Sequence, residues 1–400
     1  MAKAAARPQM NYLHDALEDL KAKHLYTKLR ILDGEQKPVC SVDGREVINL
    51  ASNNYLGLTT NPKLRRAAIE ATRKYGVGSG AVRSIAGTMR IHMDLEEQIA
   101  RFKNTEACVV FQSGFAANAG TVSAILGKDD VIISDELNHA SIIDGSRLSK
   151  ATIKVFKHKD LSDCERILKE TENWNGKKLL VTDGVFSMDG DIADLPGLCS
   201  LAEKYNCITM VDDAHASGVI GRNGRGTVDH LNCHGRVDVQ VGTLSKAIGV
   251  LGGYVCGSRE LIDFLYHRAR PFIFSTSHPP SVVASCQASF ELLDSDAGAK
   301  LIKKLWANTK FFKRSLKKLG FKTGPSETPI TPILVGEAAK AFEFGKQLFE
   351  EGLFAPAIGY PTVAEGKARL RTIITATHKR ADLERALEIL ERVGRRLAII

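Results

Sequence analysis

Two short motifs, each placed after an apolar run, bring together residue types that suit acid–base and covalent chemistry. The first is 212–215 (DDAH), and the second is 242–246 (GTLSK), which leads into a glycine-rich stretch. In an open α/β sheet, functional groups gather beyond the carboxyl ends of the strands. An aspartate at this place is also a common helix N-cap, and a single lysine in a loop is most often a surface residue. Each motif alone leaves both interpretations open.

Taken together, the two motifs indicate a cofactor. They are one strand–helix–strand unit apart, so Asp212 and Lys246 are predicted to lie at the same edge of a sheet. A lysine that forms a Schiff base, with an acid facing a pyridinium nitrogen, is the signature of enzymes that use pyridoxal 5′-phosphate (PLP). The acid keeps the ring nitrogen protonated, and the ring then accepts electrons from a carbanion at the α-carbon of the substrate.

Three further segments carry groups that suit the same cofactor. The segment 112–118 (QSGFAAN) offers backbone N–H groups at a helix start for a phosphate, with an ordinary turn as the alternative. His139 follows a strand and is placed to stack on a planar ring or to move a proton, although a lone histidine is more often structural. Arg369 and Arg371 share one strand, and we expect them to face opposite ways. One of them would then clamp a carboxylate, and a solvent-facing basic strand is the alternative.

The elements that must position these groups follow from the pattern of apolar runs between about residues 60 and 280. The runs are short, rich in β-branched residues and bounded by Gly, Asp or Ser, and helical segments separate them. Strands that alternate with helices predict a mainly parallel sheet with helices on both faces. The predicted strands are 107–111, 130–134, 152–156, 179–182, 207–211, 237–241 and 253–256.

The pattern changes near residue 290, and this change predicts a second, smaller α+β domain. We expect an N-terminal segment, 1–59, that joins the small domain, a large domain over 60–290, and the small domain over 291–400. In the last helix, Leu383, Leu387, Leu390 and Val393 form the predicted buried stripe. The remaining predicted elements are a helix at 12–25, extended segments at 39–42 and 46–50, helices at 298–318, 338–352 and 380–397, and strands at 330–335 and 368–374.

Composition narrows the class of protein. The 400 residues are 44% hydrophobic and 25% charged, which is typical of a globular protein and excludes disorder for the bulk of the chain. No apolar run approaches the length of a membrane span. The N-terminal residues lack the apolar core of a secretory signal, and we expect a frayed end there.

Charge and cysteine content also narrow the class of protein. The net charge of +9 is spread thinly and no nucleic-acid module is present, although a mild positive field would attract an anionic substrate such as a coenzyme A ester. The eight cysteines include no C-x-x-C pair and no standard zinc spacing. They are expected to be free thiols of a cytoplasmic protein without a metal site.

The ordered set of motifs resembles the α-oxoamine synthases, a PLP-dependent family with the aspartate aminotransferase fold (fold type I). The resemblance covers essentially the whole chain. It implies an α/β fold with a mainly parallel seven-stranded sheet in the large domain, and a homodimer with its active site at the interface. The matching segments are 51–57 (ASNNYLG), 78–80 (GSG), 86–88 (AGT), 138–145 (NHASIIDG), 182–191 (TDGVFSMDGD), 212–215, 243–246 and 368–371.

The resemblance implies a role for each matching residue around the ring. Lys246 would hold PLP as a Schiff base and later act as the proton-transfer base. Asp212 would pair with the pyridine nitrogen. His215 and Ser187 would approach the phenolic oxygen, and His139 would stack on the ring and contact substrate.

The same resemblance assigns the phosphate and the substrates. The phosphate would bind to the backbone of Gly114 and Phe115 and to Thr243. Ser275 and Thr276 would reach the phosphate of the partner subunit. The residues implied for the substrates are Asn53 and Arg371 for the carboxylate and Thr362 for the acyl side.

Within the family, the chain is similar to two branches, the glycine C-acetyltransferases and the 8-amino-7-oxononanoate synthases. The first reading is the reversible condensation of glycine with acetyl-CoA to 2-amino-3-oxobutanoate and CoA, as in threonine catabolism. The alternative is the decarboxylating condensation of L-alanine with pimeloyl-CoA in biotin biosynthesis. Segment 112–118 resembles the second branch and 393–400 (VGRRLAII) the first, which is compatible with a broad acyl-CoA range.

Two other classes remain as alternatives: another enzyme of fold type I, such as an aminotransferase or threonine aldolase, and a binding protein without activity. The whole-chain set of motifs argues against the other enzyme, and a binding protein would require Lys246 to be an ordinary lysine. One departure from the family pattern is Ala216, which stands where many members carry glycine and bears on the packing near the ring.

Overall fold

The computed structural model describes residues 8–23, 26 and 28–400. Residues 1–7 of the N-terminal segment expected to be frayed, and residues 24 and 25 of the first predicted helix, lie outside the described residues. None of the helices described is both long and apolar enough to cross a membrane. The strands are β1 (Val39–Val42), β2 (Arg45–Asn49), β3 (Ala107–Phe111), β4 (Val131–Asp135), β5 (Thr152–Phe156), β6 (Lys178–Asp183), β7 (Ile208–Asp212), β8 (Val239–Thr243), β9 (Gly253–Gly257), β10 (Ile330–Gly336), β11 (Leu353–Phe354), β12 (Ala357–Ile358) and β13 (Ala368–Ile373).

Helices cover most of the remaining described chain, and the predicted ones end within a few residues of the observed bounds. They are α1 (Tyr12–Ala22), α2 (Pro62–Tyr75), α3 (Arg90–Lys103), α4 (Gly114–Ile125), α5 (Ala140–Ser149), α6 (Leu161–Glu170), α7 (Leu195–Lys204), α8 (Thr227–His230), α9 (Arg259–Arg268), α10 (Arg270–Ile273), α11 (Pro280–Leu293), α12 (Asp296–Leu319), α13 (Ala338–Glu350) and α14 (Arg380–Arg396).

Seven strands form the central sheet, in the order β3-β9-β8-β7-β6-β4-β5. Strands β5, β4, β6, β7 and β8 are parallel, while β9 runs antiparallel to both of its neighbours, β3 and β8. The predicted α/β fold with a mainly parallel seven-stranded sheet is therefore confirmed.

Both faces of this sheet are covered, which explains why its strands are apolar without alternation. On β9, the side chains of Tyr254 and Cys256 pack into one buried cluster, and Val255 between them packs into another. The first cluster includes residues of α3 and α11, and the second includes residues of α4 and α9. Burial on two sides fixes the register of the strands and hence the positions of the residues at their ends.

Two three-stranded sheets stand apart from the central one, in the orders β1-β2-β11 and β10-β13-β12. Near the N-terminus, Ile48 of β2 pairs with Leu353 of β11. Ile48 and Leu50 share a buried cluster with Leu370 of β13 and with α14. The domain boundaries at 59/60 and 290/291 stay a prediction.

The first and last helices differ in what they bury. The stripe predicted for α14 is confirmed, since Leu383, Leu387, Leu390 and Val393 are all buried. Helix α1 has no buried residue, and Leu13, Leu17 and Leu20 are exposed.

The eight cysteines are all free, as predicted. Seven are buried and Cys207 is half-buried. Burial raises the pKa of the Cys207 thiol to about 11.

Candidate active site

The carboxyl ends of three adjacent strands form one side of a cavity of about 190 Å³. Asp183 ends β6 and lies opposite Asp212, which ends β7, and Thr243 ends β8 next to it. The parallel register therefore places these side chains at one edge, as the sequence predicts. Seven of the predicted site residues line the cavity: Gly114, Phe115, His139, Asp212, His215, Thr243 and Lys246.

A chain of hydrogen bonds crosses the cavity from Lys246 to Tyr55. The Nζ atom of Lys246 is 2.8 Å from Nε2 of His215, and Nδ1 of His215 is 2.7 Å from the hydroxyl of Tyr55. His215 is buried, and its pKa lies well below the usual value because of burial first and the charge of Lys246 second. A neutral imidazole here accepts a hydrogen bond on one ring nitrogen and donates one from the other.

Burial also acts on Lys246 itself. It lowers the pKa of the ammonium group to about 8, against the opposing charges of Asp212 and Asp183. A lysine with this pKa has an appreciable fraction of free amine at neutral pH, which is what a Schiff-base nucleophile requires. The predicted reactive lysine is therefore placed in an environment that activates it.

The carboxylate of Asp212 is fixed at both oxygens. Its Oδ1 accepts a hydrogen bond from the backbone N–H of Ala214 at 2.8 Å, and its Oδ2 accepts one from Nδ2 of Asn118 at 2.6 Å. The second carboxylate of the cavity, Asp183, accepts from the backbone N–H of His139 at 3.1 Å. Burial first, and the charge of Asp212 second, raise the pKa of Asp183 well above its usual range. Burial thus favours the neutral form of Asp183, while Asp212 is the acid whose two oxygens are fixed by hydrogen bonds.

His139 precedes α5 and is oriented by the first turn of that helix. Its Nδ1 is 2.7 Å from the hydroxyl of Ser141 and 3.2 Å from the backbone N–H of the same residue. Burial lowers the pKa of His139. The ring is neutral and held in one orientation at the wall of the cavity, which suits stacking on a planar ligand.

The start of α4 forms the opposite end of the cavity. Ser113 caps the helix by accepting from the backbone N–H of Ala116, which leaves the N–H groups of Gly114 and Phe115 directed beyond the helix. Thr243 packs closely against this helix start, since a Cβ atom at Gly114 would come within 3.3 Å of Thr243 Cβ. The hydroxyls of Thr243 and Ser245 are 2.7 Å apart at the same place. Hydroxyls and free N–H groups at a helix N-terminus are suited to a phosphate.

Arg371, on β13, reaches toward this edge of the central sheet. Its Nε donates to the backbone carbonyl of Ser187 at 2.5 Å, and both terminal nitrogens lie 3.3 Å from Oδ1 of Asn53. Arg369 contacts the same loop, through the carbonyl of Met188 and the carboxylate of Asp189. The expectation that the two arginines face opposite ways is therefore wrong, because residues two apart on a strand point to the same face.

Six of the predicted site residues are not among the described residues that line the cavity. Two of them, Asn53 and Arg371, form the contact described above, and the other four are Ser187, Ser275, Thr276 and Thr362. Ser187 presents its carbonyl to Arg371, and its role at the phenolic oxygen stays a prediction. Thr276 pairs with Val82 in an isolated bridge, and the role predicted for Ser275 and Thr276 concerns a partner subunit. Thr362 is exposed.

Comparison with known proteins identifies the family. The family model described as aminotransferase class I and II matches residues 45–390. An 8-amino-7-oxononanoate synthase of Thermoanaerobacter pseudethanolicus is 58% identical over 392 residues, which are 98% of this chain and 98% of the relative. The chain belongs to the α-oxoamine synthases.

Solved structures agree with this assignment. Serine palmitoyltransferase of Sphingomonas wittichii is 31% identical to this synthase and superposes with a TM-score of 0.92 over 99% of this chain and 100% of the other. A high-resolution structure of SPT with the PLP internal aldimine gives the same TM-score, 0.92, at 30% identity over 99% and 100% of the two chains. The synthase has the aspartate aminotransferase fold, depends on PLP and is an acyltransferase that joins an amino acid to an acyl-CoA.

The residues of this synthase fit the cofactor. The cavity has a free amine at Lys246, a fixed carboxylate at Asp212, a flat neutral ring at His139 and a helix N-terminus with hydroxyls at the other end. A side-chain atom at Gly114 would crowd the phosphate end. Amine, carboxylate and anion site thus match the aldehyde, the ring nitrogen and the phosphate of PLP.

Sequence reasoning gave no individual role to four residues of the cavity network: Tyr55, Asn118, Ser141 and Asp183. Two of them had a usable signal. Asp183 directly follows a predicted strand, as Asp212 does, and Asn118 is one helical turn beyond Gly114 on the face of α4 that meets the sheet. Tyr55 could be found only through the fold, because it lies far from His215 in sequence.

Ala216 departs from the family pattern without disturbing this geometry. The residue is fully buried, and its methyl group belongs to the cluster that contains Leu56 and Ile248. Its backbone N–H donates to the carbonyl of Asp213 at 3.0 Å. The methyl group therefore fills core space behind the motif.

Proposed function

We propose that this synthase condenses L-alanine with pimeloyl-CoA and releases CoA and carbon dioxide to give 8-amino-7-oxononanoate, a step of biotin biosynthesis. The observation that carries the proposal is the 58% identity to an 8-amino-7-oxononanoate synthase over 98% of both chains. Segment 112–118, at the phosphate end of the cavity, also resembles that branch. This favours the alternative of the sequence analysis over the first reading, glycine with acetyl-CoA.

The amino acid binds first through its carboxylate in this scheme. Arg371 is buried, and its Nε is occupied by the carbonyl of Ser187, so the guanidinium is held with its terminal nitrogens toward Asn53. Contacts of 3.3 Å to Asn53 are long for a charged donor, and a carboxylate would displace them by a bidentate pair.

Lys246 holds the cofactor and then moves the α-proton in this proposal. When bound, PLP supplies an electron sink that stabilises negative charge at the α-carbon. The Nζ atom of Lys246 is a suitable base because burial lowers its pKa to about 8. The proton that it takes up is shared with Nε2 of His215 at 2.8 Å, and Tyr55 holds the other ring nitrogen.

Asp212 and His139 orient the flat part of the site. The carboxylate of Asp212 is held by Asn118 and by the N–H of Ala214, so it would pair with the ring nitrogen of PLP without moving. His139 lines one side of the cavity, where its neutral ring would stack on the cofactor. Because these side chains are fixed before the substrate binds, they need little reorganisation when the transition state forms.

The test is a panel of acyl-CoA thioesters crossed with L-alanine and glycine, assayed by thiol release and by the mass of the product. We expect release to be fastest with L-alanine and pimeloyl-CoA, and the product mass to show the loss of one carbon dioxide. Fast release only with glycine and acetyl-CoA, with the carboxylate retained, would reject the proposal in favour of glycine C-acetyltransferase. Comparable release across the panel would indicate a broad α-oxoamine synthase.

A further inference from the structure

His158, in the connection between β5 and α6, lies outside the cavity and has a carboxylate at each ring nitrogen. Its Nδ1 is 3.0 and 3.2 Å from the two oxygens of Asp135, and its Nε2 is 2.9 Å from Oδ2 of Asp191. Both carboxylates are almost fully buried, while the His158 side chain is 21% exposed. The ring also meets Phe186 edge-on, with the centroids 4.3 Å apart.

This arrangement requires a charged ring. A carboxylate accepts hydrogen bonds and does not donate them, so each ring nitrogen must carry a proton. A neutral imidazole would direct a lone pair at one buried carboxylate, which would then lose a charged hydrogen bond. The geometry therefore specifies an imidazolium that joins two acids from different segments.

The two acids belong to segments that lead to the two sides of the active site. Asp135 ends β4, and its Oδ1 accepts from the backbone N–H of Leu137, in the turn that leads to His139. Asp191 lies in the connection after β6, residues 184–192, which we call the clamp loop. The carbonyl of Ser187, in this loop, holds Nε of Arg371.

The clamp loop has few other attachments to the central sheet. An isolated antiparallel bridge between Val185 and Ile192 joins the two ends of the loop. Thr328, which lies just before β10, donates its N–H to the carbonyl of Gly190 at 3.0 Å. His158 and its neighbour Lys159 thus fix the far end of this loop to the strand end that carries the cavity wall, since Lys159 donates its backbone N–H to Asp135 at 3.0 Å and its Nζ lies 3.3 Å from Asp191. His158 is the residue of the two whose side chain contacts both carboxylates.

We propose that His158, as an imidazolium, is a positioning residue for the amino-acid side of the reaction: by tying Asp191 to Asp135, it fixes the clamp loop and hence the orientation of Arg371 toward the substrate carboxylate. The inference rests on the carboxylate role proposed for Arg371 and not on the identity of the thioester.

The charge of His158 is lost only at alkaline pH. Its pKa is raised to about 9, against the effect of burial, by hydrogen bonds to Asp135 and Asp191 and by their charges. Because the pKa of the folded protein is above the ordinary value, the tie is complete near neutral pH and is lost as pH rises through about 9. Charged groups that face the ring or its carboxylates from the packed elements are Asp135, Asp191, Glu136, Lys159 and Glu327.

The experiment measures binding of L-alanine to the holoenzyme without thioester, through the absorbance of the bound cofactor, for the wild type and His158→Gln. The dissociation constant of the variant should be about tenfold higher near pH 7, the effect of losing a charged hydrogen bond. The ratio of the two constants should fall toward one as pH rises through about 9, because the wild type then loses the same charge. Groups common to both proteins cancel in this ratio.

A matched control is His234→Gln, which removes a histidine paired with Asp229 at 3.2 Å, away from the cavity and the clamp loop. It should leave L-alanine binding within about twofold at every pH. A raised but pH-independent ratio for His158→Gln would show a merely structural role and overturn the proposal, as would an unchanged dissociation constant.

A second variant keeps the test valid if His158→Gln does not fold. Asp191→Asn preserves the shape and one acceptor, but removes a charge, so the alkaline loss of L-alanine binding should move to lower pH by about one unit. An unmoved profile contradicts the proposal. Binding of glycine is titrated in parallel. If the protein binds glycine but not L-alanine, the proposed function is contradicted. The role of His158 is still tested in that case, because Arg371 would receive the carboxylate of either amino acid.

Discussion

The cofactor cavity and the carboxylate clamp are neighbours that are built in opposite ways. In the cavity, Asp183, Asp212 and Thr243 end adjacent strands of one sheet, so a single register sets their spacing. The clamp joins Asn53, Ser187 and Arg371, which come from three distant parts of the chain. The cavity is rigid because its residues share a sheet, whereas the clamp depends on contacts between separate elements.

The hydrogen bonds at the two places differ in what they leave free. Both oxygens of Asp212 accept short bonds, of 2.6 and 2.8 Å. At Arg371 the short bond, of 2.5 Å to Ser187, uses Nε alone, and the terminal nitrogens, 3.3 Å from Asn53, remain as donors for a ligand. We therefore expect changes in the cavity to abolish chemistry and changes in the clamp to weaken binding.

The largest effect is expected for Lys246→Ala. Without the amine, turnover should fall at least about a thousandfold, because covalent attachment and proton transfer are both lost. Steady-state thiol release measures this, and Lys246→Arg, which keeps the charge but not the nucleophile, serves as the control. Borohydride reduction followed by peptide mass spectrometry should place PLP on Lys246 in the wild type, and attachment at another lysine would refute the assignment.

Asp212→Asn comes next. Exchange of the α-proton of L-alanine into heavy water, followed by NMR, should slow by roughly a hundredfold to a thousandfold while the fold is retained. The matched change Asp183→Asn should cost less, because burial raises the pKa of Asp183 well above its usual range and so already favours the neutral form that asparagine imitates. Equal losses of the exchange rate in the two variants would contradict the pairing of Asp212 with the ring nitrogen.

Arg371→Gln should affect binding more than chemistry. We expect the KM for L-alanine to rise by about 30-fold and the KM for the thioester to change by less than about threefold. Arg371→Lys retains the charge but not the planar fork, and its effect should be intermediate. A rise in the thioester KM alone would place Arg371 on the acyl side instead.

The smallest effect concerns pH. Addition of PLP to the cofactor-free protein should speed up by about tenfold between about pH 7 and pH 9 and then level off, since the free amine of Lys246 forms as pH rises through its pKa of about 8. Stopped-flow absorbance measures the rate. A rate that still climbs steeply beyond pH 9 would mean that burial does not lower the pKa of Lys246.

The comparison also explains what the sequence was able to predict. Asp212, Thr243 and Lys246 follow apolar runs, and local pattern plus one rule about strand ends brings them together. The partners of Arg371 are a backbone carbonyl and an amide with no pattern of their own, so only the family resemblance pointed to Asn53. The role of Tyr55 depends on a tertiary contact, which periodicity does not reveal.

One error of the sequence analysis is informative in the same way. Arg369 and Arg371 were expected to face apart, but both meet the 187–189 segment of the clamp loop. Two adjacent cations on one face are tolerated because Asp189 neutralises Arg369. The charge available for a substrate is therefore that of Arg371.

The burial of the thiols has a practical consequence. Seven of the eight cysteines are buried, and the pKa of about 11 at Cys207 leaves almost no thiolate at neutral pH. Air and mild oxidants therefore find little thiolate on the eight cysteines of the folded protein. A maleimide dye added to such a sample would react slowly with the half-buried Cys207 and would reach the seven buried thiols only as the chain opens, so labelling beyond one thiol per chain would report unfolding.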